Sequence, residues 1–195
     1  MSDLLPLSAC TAAVIAGGKS RRFGSPKQSA RLQNRTLLEI AYHKAAQISD
    51  RVMIIGEAFN TPLPSGTMIK SDLIPGKGPL GGIYTALHFS ELPFVAVLPC
   101  DMPFLDPRIY AHLWEQRSEG APRICKFSER IQPLISIWPR NLEEKVRTSL
   151  QHDELSIRQL LKTFPNCSID LSGHFSRETF SNINFREDLT GLQHS

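Results

Sequence analysis

Residues 12–28 read AAVIAGGKSRRFGSPKQ, a short apolar run that empties into glycines and cations. Gly17, Gly18 and Gly24 let backbone N–H groups come close to an anion. Lys19, Arg21, Arg22 and Lys27 place positive charge in the same segment. This combination predicts a polyphosphate cradle. A relaxed P-loop pattern runs over residues 13–20, with Gly18-Lys19-Ser20 as its tail. A P-loop, however, sets its Lys and Ser on the first turn of a helix facing the phosphates. Gly24 and Pro26 follow too soon for a helix begun at Lys19. No G-x-G-x-x-G dinucleotide fingerprint is present either.

The second chemical signal is Asp101, which follows an apolar run and Pro99-Cys100. Mg²⁺ takes one or two carboxylates plus water and phosphate oxygens, so one Asp at the lip of a phosphate crevice is sufficient protein ligation. The same carboxylate could cap the turn before Pro103, and residue types leave both readings open. Asp72 is either a ligand contact or the cap of a turn before Leu73. Gly78, Gly81 and Gly82 permit close approach of a ligand or serve a tight loop-to-helix junction. The six histidines show no metal-ligand spacing, and His43, His88 and His112 read as ordinary helical residues. Trp114 and Trp138 read as core.

These groups need elements to hold them. Residues 12–15 suit a buried central strand. Thr36 with Glu39 three residues later forms a capping box, and Leu37, Leu38, Ala41, Ala45 and Ile48 supply a helical apolar stripe. Strands are predicted over 52–55, 67–70 and 94–98, with a glycine-rich loop over 75–82 leading to a helix over 83–90. A helix over 107–116 follows. Strands over 123–127 and 131–138 pair across a turn containing Glu129. Helices over 142–150 and 156–161 come next, then short strands at Ile169 and over 182–184. The alternation predicts a three-layer α/β/α domain with a mostly parallel central sheet and functional loops at the strand carboxyl ends.

A chain of 195 residues suits one domain and can bury a full core. Its formal net charge of +3 is too small to argue for nucleic acid, and the cations are concentrated near the cradle, as a small anionic ligand would require. Four widely spaced cysteines form no C-x-x-C pair and read as reduced core thiols. The N-terminal residues lack the features of a secretory signal. No apolar segment approaches the roughly 20 residues that span a bilayer. A cytoplasmic protein without membrane or nucleic-acid partners is expected.

The pattern I-A-G-G-x-S-x-R-F-G-x-x-K resembles the first motif of nucleotidyltransferases with the Rossmann-like, glycosyltransferase-A-like fold of nucleotide-diphospho-sugar transferases. Within that group the chain is most similar to the molybdenum cofactor guanylyltransferases. The motif is joined in order by Asp72, Gly78-Pro79-Leu80-Gly81-Gly82-Ile83, Leu98-Pro99-Cys100-Asp101-Met102-Pro103-Phe104, Gln132-Pro133-Leu134, Asn182-Ile183-Asn184 and Glu187-Asp188-Leu189. The resemblance spans about residues 12–189.

It implies one nucleotidyltransferase domain over 1–195, with a nucleotide-binding part over about 9–105 and an acceptor-binding part over about 106–190. The implied reaction is Mg²⁺-dependent transfer of GMP from GTP to molybdopterin, with release of pyrophosphate. Lys27, Arg22 and Asp101 would be catalytic, with Mg²⁺ on Asp101. The nucleotide would meet Ile15, Ala16, Gly17, Gly18, Lys27, Asp72 and Asp101. The acceptor would meet Gly78, Gly82, Gln132, Pro133, Asn182 and Asn184, whose amides suit a pterin edge or a phosphate. Without the resemblance, Asn182 and Asn184 read as turn formers. A molybdoenzyme or its chaperone is the implied protein partner. The chain departs from the family pattern at Pro26, where many guanylyl relatives carry Asp, and at Gly56, where Asn is common. Ala16-Gly17-Gly18 points to guanine, whereas Pro26-Lys27-Gln28 is similar to a cytidylyltransferase motif. A CTP-dependent enzyme of the same fold, or a degenerate nucleotide-binding regulatory homologue, is the alternative.

Overall fold

The computed structural model describes residues 5–17, 30–57, 61–151 and 156–183. Its first strand, β1 (Cys10–Ile15), is buried along its whole length. Side chains alternate between the two faces of a strand, so such a strand needs apolar cover on both sides. Ala12 and Val14 join a core with Leu38, Ala41, Ala45 and Ile48, whereas Ala13 and Ile15 join a second core with Leu80, Ile83, Ala86 and Leu87.

The first of these faces is covered by α1 (Leu37–Ile48), which begins with the expected capping box. Glu39 N–H donates to Thr36 Oγ1 at 3.1 Å, and Thr36 N–H donates to the Glu39 carboxylate at 2.6 Å. Its five buried residues are the five of the sequence stripe. A two-residue hairpin, β2 (Arg31–Leu32) and β3 (Arg35–Thr36), leads into it. The sequence analysis did not anticipate this hairpin. Its turn residues, Gln33 and Asn34, both take positive φ, yet lack the Asn-Gly or Asp-Gly signature.

β4 (Arg51–Ile55) and β5 (Met68–Lys70) extend the sheet, and α2 (Gly78–Phe89) crosses the second face. This helix begins five residues earlier than expected. The glycine-rich stretch is its first turn, because packing overrides the low helix propensity of glycine. A Cβ on Gly82 would stand 3.1 and 3.2 Å from two Ile15 side-chain carbons, so glycine lets the helix lie close on β1.

β6 (Phe94–Pro99) is buried throughout and is followed by α3 (Ile109–Glu115) on the α1 face. β7 (Arg123–Phe127) and β8 (Arg130–Pro139) form the expected hairpin, with Ser128 and Glu129 at positive φ in its turn. α4 (Glu143–Gln151) and α5 (Ile157–Leu161) join the α2 face, and β9 (Ser168–Asp170) ends the sheet. The seven-stranded order is β5-β4-β1-β6-β8-β7-β9. Of these strands β8 alone runs against the others, since it pairs antiparallel with β6 and β7 while the remaining pairs are parallel. The result is the expected mostly parallel sheet between two helical layers. No helix among the described residues is long and apolar enough to cross a membrane.

Asn182 and Ile183 form no strand, contrary to the expectation for 182–184. Ile183 N–H instead donates to the carbonyl of Asp101, beyond the end of β6, so no ladder develops. Asn184 lies outside the described residues. Trp138 is fully buried and donates its indole N–H to Ser136 Oγ at 2.9 Å. It is core, as expected. Trp114 is half-buried, with Phe94 against it edge-on and the Arg117 guanidinium over its ring.

Candidate active site

Four parallel strands deliver their carboxyl ends to one edge of the sheet. Ala16 N–H reaches the carbonyl of Ile55 at 2.8 Å, and Gly56 N–H that of Lys70 at 2.9 Å. Cys100 N–H reaches the carbonyl of Ile15 at 3.3 Å. The ladder therefore continues one residue past β1, β4 and β6, into the residues singled out for chemistry. Ile15 and Ala16 are buried at this lip, and Gly17 is exposed beyond them.

β8 brings its beginning to the same edge because it runs the other way. Val97 pairs with Ser136, so the residues preceding Ser136 lie beside those following Val97. Against β7 the register jumps from Ile124↔Ser136 to Cys125↔Gln132, which leaves Pro133, Leu134 and Ile135 as a bulge. Proline is tolerated inside a strand at such an irregularity, and Ser136 Oγ donates back to the Pro133 carbonyl at 3.0 Å. Gln132 and Pro133 are thereby half-buried on the functional edge, next to the end of β6.

Asp72, just past β5, is lodged against the end of β1. A Cβ on Gly17 would stand 3.3 Å from its Oδ2, and one on Gly82 would stand 3.7 Å from its Oδ1. Oδ1 is shut off from solvent and has no hydrogen-bond partner among the described residues. Burial raises the Asp72 pKa above the ordinary carboxylate value. A desolvated carboxylate oxygen without a donor is costly, and a hydrogen-bond donor brought to this atom would relieve that cost. The following residue is tied down: Leu73 N–H donates to Thr85 Oγ1 at 3.0 Å, and Thr85 donates to the Gly81 carbonyl at 2.9 Å.

Asp101 sits in the turn after β6, half-buried. Its carbonyl receives the Ile183 N–H at 2.9 Å. Ile183 is buried with Leu32 and Leu37, whereas the neighbouring Asn182 is exposed. The structure thus brings the backbone of Ile183, the residue after Asn182, to that of Asp101 across a long stretch of sequence. Gly78 opens α2 at φ +61 with open space around its Cβ position, and Gly82 packs on Ile15. Gly18, Arg22, Lys27 and Asn184, together with the P-loop-like tail at Gly18-Lys19-Ser20, lie outside the described residues.

Two features escaped the sequence analysis. Gly56 adopts φ +125, and a Cβ there would stand 2.9 Å from both the Ala16 carbonyl carbon and the Gly17 nitrogen. Glycine at this position has a backbone cause: the residue after β4 is pressed against Ala16 and Gly17. The second feature is a stack of Phe127 on Phe180, with ring centroids 4.2 Å apart. A strand-turn glycine gave only a weak signal for the first, and two isolated phenylalanines gave none for the second.

Burial pushes the Cys10 and Cys125 thiols up to about 12, which suits inert core thiols. His88 pairs with Glu143 on the surface at 2.8 Å, and His43 and His112 lie on α1 and α3. No group of three or more His, Cys, Asp or Glu among the described residues could cage a metal.

A fold with this site geometry has known relatives. Residues 12–167 match the model of the MobA-like NTP transferase domain. A probable molybdenum cofactor guanylyltransferase of Geobacillus sp. (strain WCH70) is 32% identical, over 76% of this chain and 80% of that protein. The molybdenum cofactor guanylyltransferase of Syntrophotalea carbinolica is 31% identical, over 92% of this chain and 88% of its own. Among solved structures, molybdopterin-guanine dinucleotide biosynthesis protein A from Archaeoglobus fulgidus superposes with a TM-score of 0.78 at 22% identity, over 94% of this chain and 97% of that one. The 2-C-methyl-D-erythritol 4-phosphate cytidylyltransferase of Thermus thermophilus gives 0.66 at 17% identity, over 94% and 97%. These last two likenesses show the fold. With the family model covering most of its length, this chain belongs to the MobA-like NTP transferases and is a nucleotidyltransferase.

Proposed function

We propose that this protein acts in molybdenum cofactor biosynthesis by transferring GMP from GTP to molybdopterin. The observation that carries the nucleotide part is the buried Oδ1 of Asp72, without a hydrogen-bond partner among the described residues and wedged beside Gly17 and Gly82 at the end of the central strand. A carboxylate is an acceptor only, so it calls for a ligand that brings donors. Guanine N1–H and N2–H₂ or ribose hydroxyls are such donors. The guanylyltransferase names of the relatives support the choice of nucleotide and acceptor.

The terminal phosphate of molybdopterin is already anionic and needs no general base. One of its oxygens attacks the α-phosphorus of GTP, a new P–O bond forms, the α–β bridging P–O bond breaks, and pyrophosphate leaves. Charge neutralisation and alignment are then the main tasks of the protein. Asp101 would hold Mg²⁺, which supplies positive charge at the phosphate oxygens. Ile15, Ala16, Gly17 and Gly18 line the nucleotide, while Lys27 and Arg22 steady the triphosphate and the departing pyrophosphate. Gly78, Gln132, Pro133, Asn182 and Asn184 face the acceptor. In this division, residues of about 9–105 bind the nucleotide and those of about 106–190 bind the acceptor, within one domain. Such a reaction belongs in the cytoplasm and ends in handover to a molybdoenzyme or its chaperone.

Incubation with GTP, Mg²⁺ and molybdopterin should yield the guanine dinucleotide and pyrophosphate, identified by mass. A product formed only with CTP would overturn the guanine assignment. Thermal stabilisation by no nucleotide would overturn the enzymatic reading itself, because a ligand that binds the native state must stabilise it.

A further inference from the structure

The aromatic pair Phe127–Phe180 lies on the functional edge and is used by none of the roles above. Phe127 is the last residue of β7, and β7 runs in the same direction as β6. It therefore ends at the same edge of the sheet as β6, with β8 between the two strands. The hairpin turn Ser128-Glu129 follows immediately, and β8 then carries Gln132 and Pro133. Phe180 ends a short 3₁₀ turn, Arg177–Phe180, and the next residues are Ser181, Asn182 and Ile183. The two rings stack at 4.2 Å between centroids, 24° from parallel, and both are half-buried.

Asn182 is consequently held between two clamps. On one side Phe180 is fixed to the β7–β8 hairpin through Phe127. On the other, Ile183 is buried with Leu32 and Leu37, and its N–H is bonded to the Asp101 carbonyl. The Asn182 side chain itself stays exposed. A span this short, anchored at both ends, has little freedom left to lose when a ligand binds. Phe180 packs against the core of the α1 face, so its position is anchored on the body of the domain.

We infer that Phe127 and Phe180 are positioning residues. Their stack holds the segment that presents Asn182 to the acceptor and links it to the hairpin that bears Gln132. Neither ring touches the reacting phosphates. The consequence for acceptor binding rests on the function proposed above, whereas the mechanical link does not.

The test uses the full chain and reads two quantities. Hydrogen exchange of the Ile183 amide, resolved by NMR, should be about tenfold faster in Phe180→Ala and in Phe127→Ala, with the Val14 and Val97 amides of the central strands unchanged. The double variant should be no worse than either single, and Phe180→Tyr should retain wild-type exchange. In turnover with GTP, both alanine variants should raise the acceptor KM about fivefold or more, with kcat and the KM for GTP little altered. If Phe180→Ala fails to fold, Phe127→Leu replaces it in both measurements. Unchanged Ile183 exchange would overturn the inference. So would exchange that rises in step at Val14 and Val97, or additive effects in the double variant. A wild-type protein that makes no dinucleotide would count against the proposed function alone, since the exchange measurement still decides the link.

Discussion

The Ile183 N–H donates to the Asp101 carbonyl at 2.9 Å, tying the last described segment of the chain to the turn that ends β6. That turn holds the one carboxylate proposed for the metal. The bond is made by the main chain of Asp101, so the turn is fixed through its backbone, as a ligand-bearing turn requires.

Asp101→Asn keeps the volume and removes the charge. Turnover measured as pyrophosphate release should fall about 100-fold or more, because loss of a direct metal ligand costs at least what loss of its supporting shell does. The melting temperature should change little. Retained turnover would remove Asp101 from the metal role.

For Asp72 the prediction is a trade of stability against binding. Burial raises its pKa in the folded state, so its native form favours the proton. The associated stability is fully present below the unfolded carboxylate value of about 3.9 and is lost as pH rises through the folded value. Asp72→Asn should therefore raise the melting temperature of the ligand-free protein at pH 7, with the gain shrinking as the pH falls towards 4 or so. The same variant should lose thermal stabilisation by GTP. An unchanged response to GTP would contradict the placement of Asp72 at the nucleotide.

Gly56 looks from sequence like a missing polar contact, and the structure predicts that restoring Asn will not help. A Cβ at φ +125 would be 2.9 Å from the Ala16 backbone. Gly56→Asn should cost about 2 kcal/mol in denaturant unfolding, in line with the strain of a disallowed backbone conformation. It should also weaken GTP binding by displacing Ala16 and Gly17. A stable variant with tighter GTP binding would refute this account.

Lys27→Ala and Gln132→Ala should separate the two substrates. The first should weaken stabilisation by GTP and raise the KM for GTP. The second should raise the acceptor KM and leave the response to GTP intact. Identical effects of the two on both substrates would argue against a nucleotide part and an acceptor part.

By itself the sequence determined most of the framework, because the relevant signals are local. Thr36 and Glu39 are three residues apart and cap one helix, the stripe from Leu37 to Ile48 is a 3.6-residue pattern, and continuous apolar runs mark β1 and β6. The same locality placed Gly17 and Asp101 at strand ends. Tertiary structure decided what depends on approach between distant segments. The glycines from Gly78 to Gly82 form the start of a helix that lies close on Ile15 at Gly82, Gly56 is pressed against the backbone of Ala16, and residues 133–135 form a bulge against β7. The burial of Asp72 Oδ1 and the bond from Ile183 to Asp101 likewise belong to no local pattern. Propensity and periodicity report the energy of a chain with its near neighbours, whereas steric contact and desolvation are set by whichever remote atoms the fold brings beside it.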